Sequence, residues 1–338
     1  MIRGASVKDV AVHAKVSIGT VSNVLNQPEK VSDATRERVQ ASIAALGFVR
    51  NESARHLRAG QSKTIGFVVL DVSNPFFTDV ARGAERAARD AGSSVLIANS
   101  GEHGERELDY LDLFEEQRAQ GVLISPGGDV AARLSALRDR GIPTVLVDSP
   151  SPSTDFSSVQ TNDVAGGRIA VDHLLEAGRT SIAFVGGPLK LHQVRDRLAG
   201  ARMALSSADL GEDAIRVWET VAPTVEEGRR VGFLLAEIPP GDRPDAVFAA
   251  NDLLAIGLMQ ALLLERQLDI PGDIALIGYD DIGWAKSAVV PLSSVRQPSE
   301  LIGETAARLL IEESLGGGSA HQQLQFTPVL VARASTVG

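Results

Sequence analysis

The chain has 338 residues, 44% hydrophobic and 22% charged, enough apolar material for more than one core and for about two to three domains. It holds no cysteine, which excludes disulfides, thiolate metal sites and cysteine nucleophiles and fits a reducing compartment. Its net charge of -10 is unevenly spread: residues 1–62 hold nine Lys/Arg against five Asp/Glu, so a basic headpiece precedes an acidic body, which suggests a nucleic-acid module joined to something that is not one.

At the N-terminus, "MIRGASVKDVAVHAKVS" lacks the apolar run and cleavage site of a secretory signal, and nowhere is there a stretch of about eighteen apolar residues. A cytoplasmic protein with no membrane partner is expected. Ser6, with Asp9 three residues on, and Val7, Val10, Ala11 and Ala14 on one face predict a capped helix over 7–14. Ser17 caps a second helix over 18–25, and the short intervening turn is that of a helix-turn-helix. A third helix follows Ser32, turns Val39, Ile43 and Leu46 inward, and stops at Gly47. The basic, polar segment 48–63 has only Ala54 and Leu57 at helical spacing and is expected to be a linker whose order depends on a partner.

From Thr64 onward short apolar runs alternate with helical stretches: "TIGFVVLD", "SSVLIANS", "QGVLISP" and "PTVLVD", then "SIAFVGG", "DAVFAAN" and "DIALIGYDD". This alternation predicts parallel sheets covered on both faces. Two series predict two lobes, with a ligand crevice at the carboxyl ends of the strands. "FTPVLVARAST" is a late strand with no helix after it.

The second helix is short, follows a tight turn, and sets Ile18, Gly19 and Asn23 opposite Val21 and Leu25. Those are the dimensions of a recognition helix entering the major groove of DNA, although the same periodicity fits an ordinary helical hairpin. The stretch "VKDVAVHAKVSIGTVSNVLNQPEKVSDATRERVQASIAALGFVRNESARHLR" resembles the headpiece of the LacI/GalR family of bacterial transcription regulators. The resemblance continues in order through "IGFVVLDVSNPFF", "AGGRIAVDHLLEAGRTSIAFVGGP", "VRDRLAGA", "FAANDLLAIG", "IALIGYDDI" and "VRQPSELIG".

The resemblance implies an α/β chain: an all-α headpiece (1–47), a hinge linker (48–63) and a periplasmic-binding-protein-like body (64–338). Its lobe 1 would span about 64–162 and 292–326 and its lobe 2 about 163–291 and 327–338, with crossings near 162, 291 and 326. It implies base reading by Ile18, Gly19 and Asn23, with Asn23 standing where the family commonly has Arg. Asn can pair with adenine and Ile can pack on a thymine methyl, whereas Gly19 only lets the helix come close. Ser17, Thr20, Ser22 and Asn26 match positions that hold phosphate, and Leu57, flanked by Ala54 and Arg58, matches a leucine that wedges into the minor groove.

In the body the resemblance implies effector contacts from Asp71, Asn74, Phe76, Phe77, Ser125, Asp148, Arg195, Asn251, Asp280 and Gln297. Polar groups converging at strand ends favour a polyhydroxylated ligand, and Phe77 can stack on a sugar face or a base ring. Two positions depart from the family pattern: Asn162-Asp163 stands where Asp-Asn is usual, and Arg179 where His is usual. Elsewhere no GxSxG elbow, P-loop or HExxH occurs, so neither an enzyme nor a cofactor or metal site is expected. A sugar-transport protein with the same lobes would lack the headpiece. The expectation is a homodimeric repressor on a near-palindromic operator, controlled by a small molecule, a neutral sugar or nucleoside-like ligand being favoured over a sugar phosphate, with a purine the other alternative; the absence of a heptad-bearing tail favours a dimer over a tetramer.

Overall fold

Ser6 opens α1 (Val7–Ala14) with a capping box: its hydroxyl accepts from the Asp9 N–H while the Asp9 carboxylate accepts from the Ser6 N–H. Lys15 ends the helix in the left-handed conformation at φ 54°. Ser17 then caps α2 (Ile18–Asn26), and α3 (Asp33–Leu46) closes at Gly47, φ 57°. Val10, Ala14, Val21, Val24 and Val39 form the core of this unit. The computed structural model describes residues 5–48, 62–101, 104–316 and 320–337, and the chain divides into two units, Met1–Ser62 and Lys63–Gly338.

Phe48, expected at the start of the linker, belongs to the headpiece core. Its N–H bonds to the Ile43 carbonyl at 3.0 Å while the Gly47 N–H bonds to Ala44, a glycine-based helix stop that folds the next apolar residue back onto the helix.

The larger unit carries two six-stranded sheets. The first contains β1 (Thr64–Val69), β2 (Ser94–Asn99), β3 (Gly121–Ile124), β4 (Thr144–Val147), β5 (Ser157–Thr161) and β11 (Gln323–Phe326) in the order β11-β5-β4-β3-β1-β2. The second contains β6 (Ile182–Gly186), β7 (Ile215–Glu219), β8 (Ala246–Ala249), β9 (Ala275–Asp280), β10 (Ser293–Arg296) and β12 (Val329–Val331) in the order β12-β10-β9-β8-β6-β7. Both are parallel except for the β10–β12 pair, and both have the doubly wound order whose reversal point opens a crevice at the strand carboxyl ends.

Helices α4 (Pro75–Asp90), α5 (Gly104–Glu116), α6 (Ala131–Asp139) and α11 (Ser299–Ser314) belong to lobe 1. Helices α7 (Asp163–Glu176), α8 (His192–Ser207), α9 (Val225–Glu237) and α10 (Asp252–Met259) belong to lobe 2, where a π-helical turn, Gln260–Glu265, prolongs α10. The chain crosses between lobes at Asn162, at Gln297–Pro298 and at Thr327–Pro328. The second crossing was expected near 291. It comes later because β10 pairs in parallel with β9 and antiparallel with β12, which keeps 293–296 in lobe 2. Arg179 reaches the carbonyls of Pro271 (2.5 Å), Asp245 and Gly272 (3.4 Å each), using its fork to tie three backbone segments.

Candidate functional site

In the headpiece the exposed face of α2 is built by what its other face buries. Val21 and Val24 turn into the core, which leaves Ile18 (52% exposed), Gly19 and Asn23 outward. Ser17 Oγ accepts from the Thr20 N–H at 3.0 Å and lies 2.9 Å from Thr20 Oγ1, while Asn26 donates back to the Ser22 carbonyl at 2.9 Å. A Cβ on Gly19 would meet only Ser17 Oγ, at 3.6 Å. Nothing inside the headpiece therefore requires glycine there. Ala54, Leu57 and Arg58 lie outside the described residues.

In the larger unit a cleft with about 530 Å³ of empty space, counting space open to solvent, lies between the strand carboxyl ends of the two lobes. Lobe 1 contributes Leu70, Asp71, Asn74, Phe76 and Phe77 after β1 and Asp148 after β4. Lobe 2 contributes Leu191, Gln193, Val194, Arg197, Pro223, Asn251 and Asp280, and Gln297 enters from the second crossing. Phe76 and Phe77 meet edge to face with ring centroids 5.1 Å apart.

Three aspartates at the cleft ends of strands hold left-handed backbone: Asp148 (φ 54°), Asp280 (φ 101°) and Asp281 (φ 55°). Non-glycine residues in this region carry strain that the surroundings must impose, and such residues gather at binding sites. Gln193 Nε2 donates to Asp148 Oδ2 at 3.1 Å, and Gln297 Nε2 to Asp280 Oδ1 at 2.8 Å. Burial, with the nearby Asp163 charge, pushes the Asp148 carboxyl up to about 8, against the pull of Arg197 and Gln193. Burial likewise raises Asp280 to about 6, held there by Arg197, Gln297 and Asn74, and lowers His192 to about 4. Asp148 Oδ1, Gln193 Oε1 and Gln297 Oε1 are buried polar atoms with no hydrogen-bond partner.

Eight of the ten expected cleft residues, Asp71, Asn74, Phe76, Phe77, Asp148, Asn251, Asp280 and Gln297, line this space. Asn251 also caps α10, accepting from Leu254 N–H at 2.9 Å and donating to Pro223 O at 3.0 Å. Ser125 is fully buried just past β3 with an unpartnered hydroxyl and is not part of the wall. Arg195 is a correction: its side chain is 62% exposed and its ionic neighbour is Asp196, at 3.8 Å. The cleft arginine is Arg197, two positions on and so roughly opposite around the helix. Gln193, Arg197, Leu198, Ala201, Ala204 and Leu205 form the buried face of α8, and that periodicity, readable in the sequence, separates the two arginines. Among the described residues, no group of three or more metal-ligating side chains gathers, and no helix is long and apolar enough to cross a membrane.

Residues 6–51 match the bacterial regulatory proteins of the lacI family, and residues 171–336 match the periplasmic binding protein-like domain. The chain is 34% identical over 337 residues to the ribose operon repressor of Escherichia coli (strain K12), covering 98% of this chain and 99% of that one. This chain belongs to the lacI family. Also similar is the transcriptional repressor PurR of Vibrio atlanticus, 32% identical with 98% of each chain covered. The lac repressor dimer bound to operator and an anti-inducer superposes with a TM-score of 0.83 at 28% identity, over 99% of this chain and 100% of that one. A LacI-family regulator from Enterococcus faecium with bound ribose gives 0.74 at 27% identity, over 81% of this chain and 98% of that one. As a lacI-family member the protein is a DNA-binding transcriptional regulator, not an enzyme.

Proposed function

We propose that this chain is a cytoplasmic, homodimeric repressor whose affinity for a near-palindromic operator is set by an uncharged sugar in the cleft, with D-ribose the first candidate. The observation that carries the reading is the set of three buried polar atoms without hydrogen-bond partners, a carboxyl oxygen of Asp148 and the amide oxygens of Gln193 and Gln297, beside one guanidinium and two aromatic rings. Unpaired buried polar groups cost about 1–3 kcal/mol each, and a ligand rich in hydroxyls, which both donate and accept, relieves them. A phosphate would bring further acceptors to a wall whose one cation, Arg197, is already paired with Asp163. The relatives named for ribose, and one solved with ribose bound, support the same choice.

On the DNA side, Ile18, Gly19 and Asn23 read bases and Ser17, Thr20, Ser22 and Asn26 contact phosphate, with Ala54, Leu57 and Arg58 completing the contact from the linker. Pairing of two copies is supported by the dimeric lac repressor and by the exposed apolar patch of Leu264, Trp284 and Val289. The test is calorimetric titration of the full chain with D-ribose, and binding to operator DNA selected from a random pool with and without the sugar. Sugar binding that changes operator affinity is expected; operator binding indifferent to every neutral sugar would sink the reading.

A further inference from the structure

Asp163 does not line the cleft, yet it holds the one guanidinium that does. It is the first residue of α7, directly after the crossing at Asn162, and its Oδ1 accepts from Arg197 Nε at 2.8 Å, with both side chains buried. Arg197 is fixed on two other sides: Nη1 donates to the Ala250 carbonyl at 2.7 Å, and the guanidinium carbon lies 3.7 Å from the centroid of the Tyr279 ring. The backbones hold this register. A Cβ on Gly167 of α7 would land on the Arg197 carbonyl oxygen, and one on Gly200 of α8 on that of Val164, so the two helices touch at both glycines.

We propose that Asp163 is a positioning and charge-setting residue of the cleft, fixing the Arg197 guanidinium toward the ligand and neutralising it so that the site selects an uncharged polyol over its anionic counterpart. This rests on the sugar reading above. With Nε and Nη1 committed, Nη2 remains to donate to a hydroxyl. Asp163 also keeps an anionic ligand out, because Arg197 already faces Asp163 and, at 3.9 Å, Asp280. Removing the Asp163 charge leaves a buried cation less compensated, which favours an anion over a neutral ligand.

A second consequence needs no ligand. The groups facing Asp148 are Asp163, Arg197, Gln193 and Asp280, together with His192, whose ring bonds to the Asp148 backbone. A carboxyl whose pKa is raised on folding binds more protons folded than unfolded, so stability falls as pH rises from the unfolded value, about 4, to the folded one. Neutralising Asp163 removes a like charge from Asp148 and frees Arg197 to attract it. Both effects lower the Asp148 pKa, so the decline ends at lower pH.

The experiment uses the full chain as wild type, Asp163→Asn and Asp163→Glu. Apparent melting temperature is followed from about pH 5 to 9 without ligand, and D-ribose and D-ribonate are titrated calorimetrically. Asp163→Asn is expected to move the end of the alkaline decline down by about one pH unit. It should weaken D-ribose about tenfold or more and narrow the preference for D-ribose over D-ribonate, while Asp163→Glu keeps the decline and the preference close to wild type. If Asp163→Asn does not fold, Asp163→Ser takes its place. An unmoved decline overturns the inference whatever the sugars do, and so does an unchanged preference. A moved decline with no D-ribose heat in the wild type overturns the sugar reading and leaves the charge-setting role standing.

Discussion

Two arginines in "VRDRLAG" differ only in where a helix turns them. Arg195 faces water and Arg197 reaches the cleft, so under the proposed function Arg197→Ala removes a charge-assisted hydrogen bond to the ligand and Arg195→Ala removes none. The expected loss for Arg197→Ala is about 1.5–3 kcal/mol, roughly ten- to a hundredfold in D-ribose affinity, with operator binding in the absence of sugar retained. Arg195→Ala should stay within about threefold of wild type. Titration calorimetry of both variants decides it, and equal losses would mean that the exposed arginine takes part. The residue types of this site were legible in the sequence as polar groups at strand ends. The arginine was misplaced because a motif gives residue types alone; the helix phase, readable from Leu198, Ala201 and Ala204, tells which of two equal charges points inward.

At the scale of elements, the strands with uninterrupted apolar runs, β1, β3, β4, β8 and β9, were legible because burial on both faces leaves no room for alternation. β5 and β10 were not. They read "SSVQT" and "SSVR", and their serines are buried through side-chain bonds, as when Ser157 Oγ donates to Glu313 and Ser294 Oγ to Asp252 at 2.7 Å. The resemblance put the second crossing near 291, ahead of β10, whereas the pairing of β10 keeps that strand in lobe 2. Helix contacts hid for a similar reason, since a glycine at a helix–helix touch reads in sequence as a weak helix. Gly167→Ala should cost about 1–3 kcal/mol in the urea-induced unfolding of the body, because α7 and α8 must part to admit a methyl group. Gly19→Ala is the contrasting case. With no more than an ordinary contact to Ser17 Oγ at its Cβ, it should leave stability unchanged or raise it by up to about 1 kcal/mol while lowering affinity for selected operator DNA. A variant that binds the operator as wild type does would show that the helix needs no close approach at that position.

Across the whole molecule, the crossings bring ligand and lobe movement together. Asp163 follows the first crossing and holds Arg197, and Gln297 at the second both lines the cleft and bonds Asp280. Any change in the angle between lobes therefore disturbs groups of the cleft wall or their direct supports, and a ligand bound there favours whichever arrangement satisfies them. Such a ligand shifts operator affinity only by its differential affinity for the two arrangements. Linkage then fixes a number in advance: the factor by which saturating D-ribose changes the operator Kd must equal the factor by which saturating operator changes the D-ribose Kd. For couplings of about 1–3 kcal/mol that factor is about five- to 150-fold. Measuring both sides at one salt concentration matters, because phosphate contacts from the basic headpiece make operator affinity fall steeply with salt. Arg197→Ala should shrink both factors together. Unequal factors in the wild type would mean that the sugar acts on something other than the state that binds DNA, for instance the pairing of two copies, and repeating both titrations across protein concentration would expose that as a factor that changes with concentration.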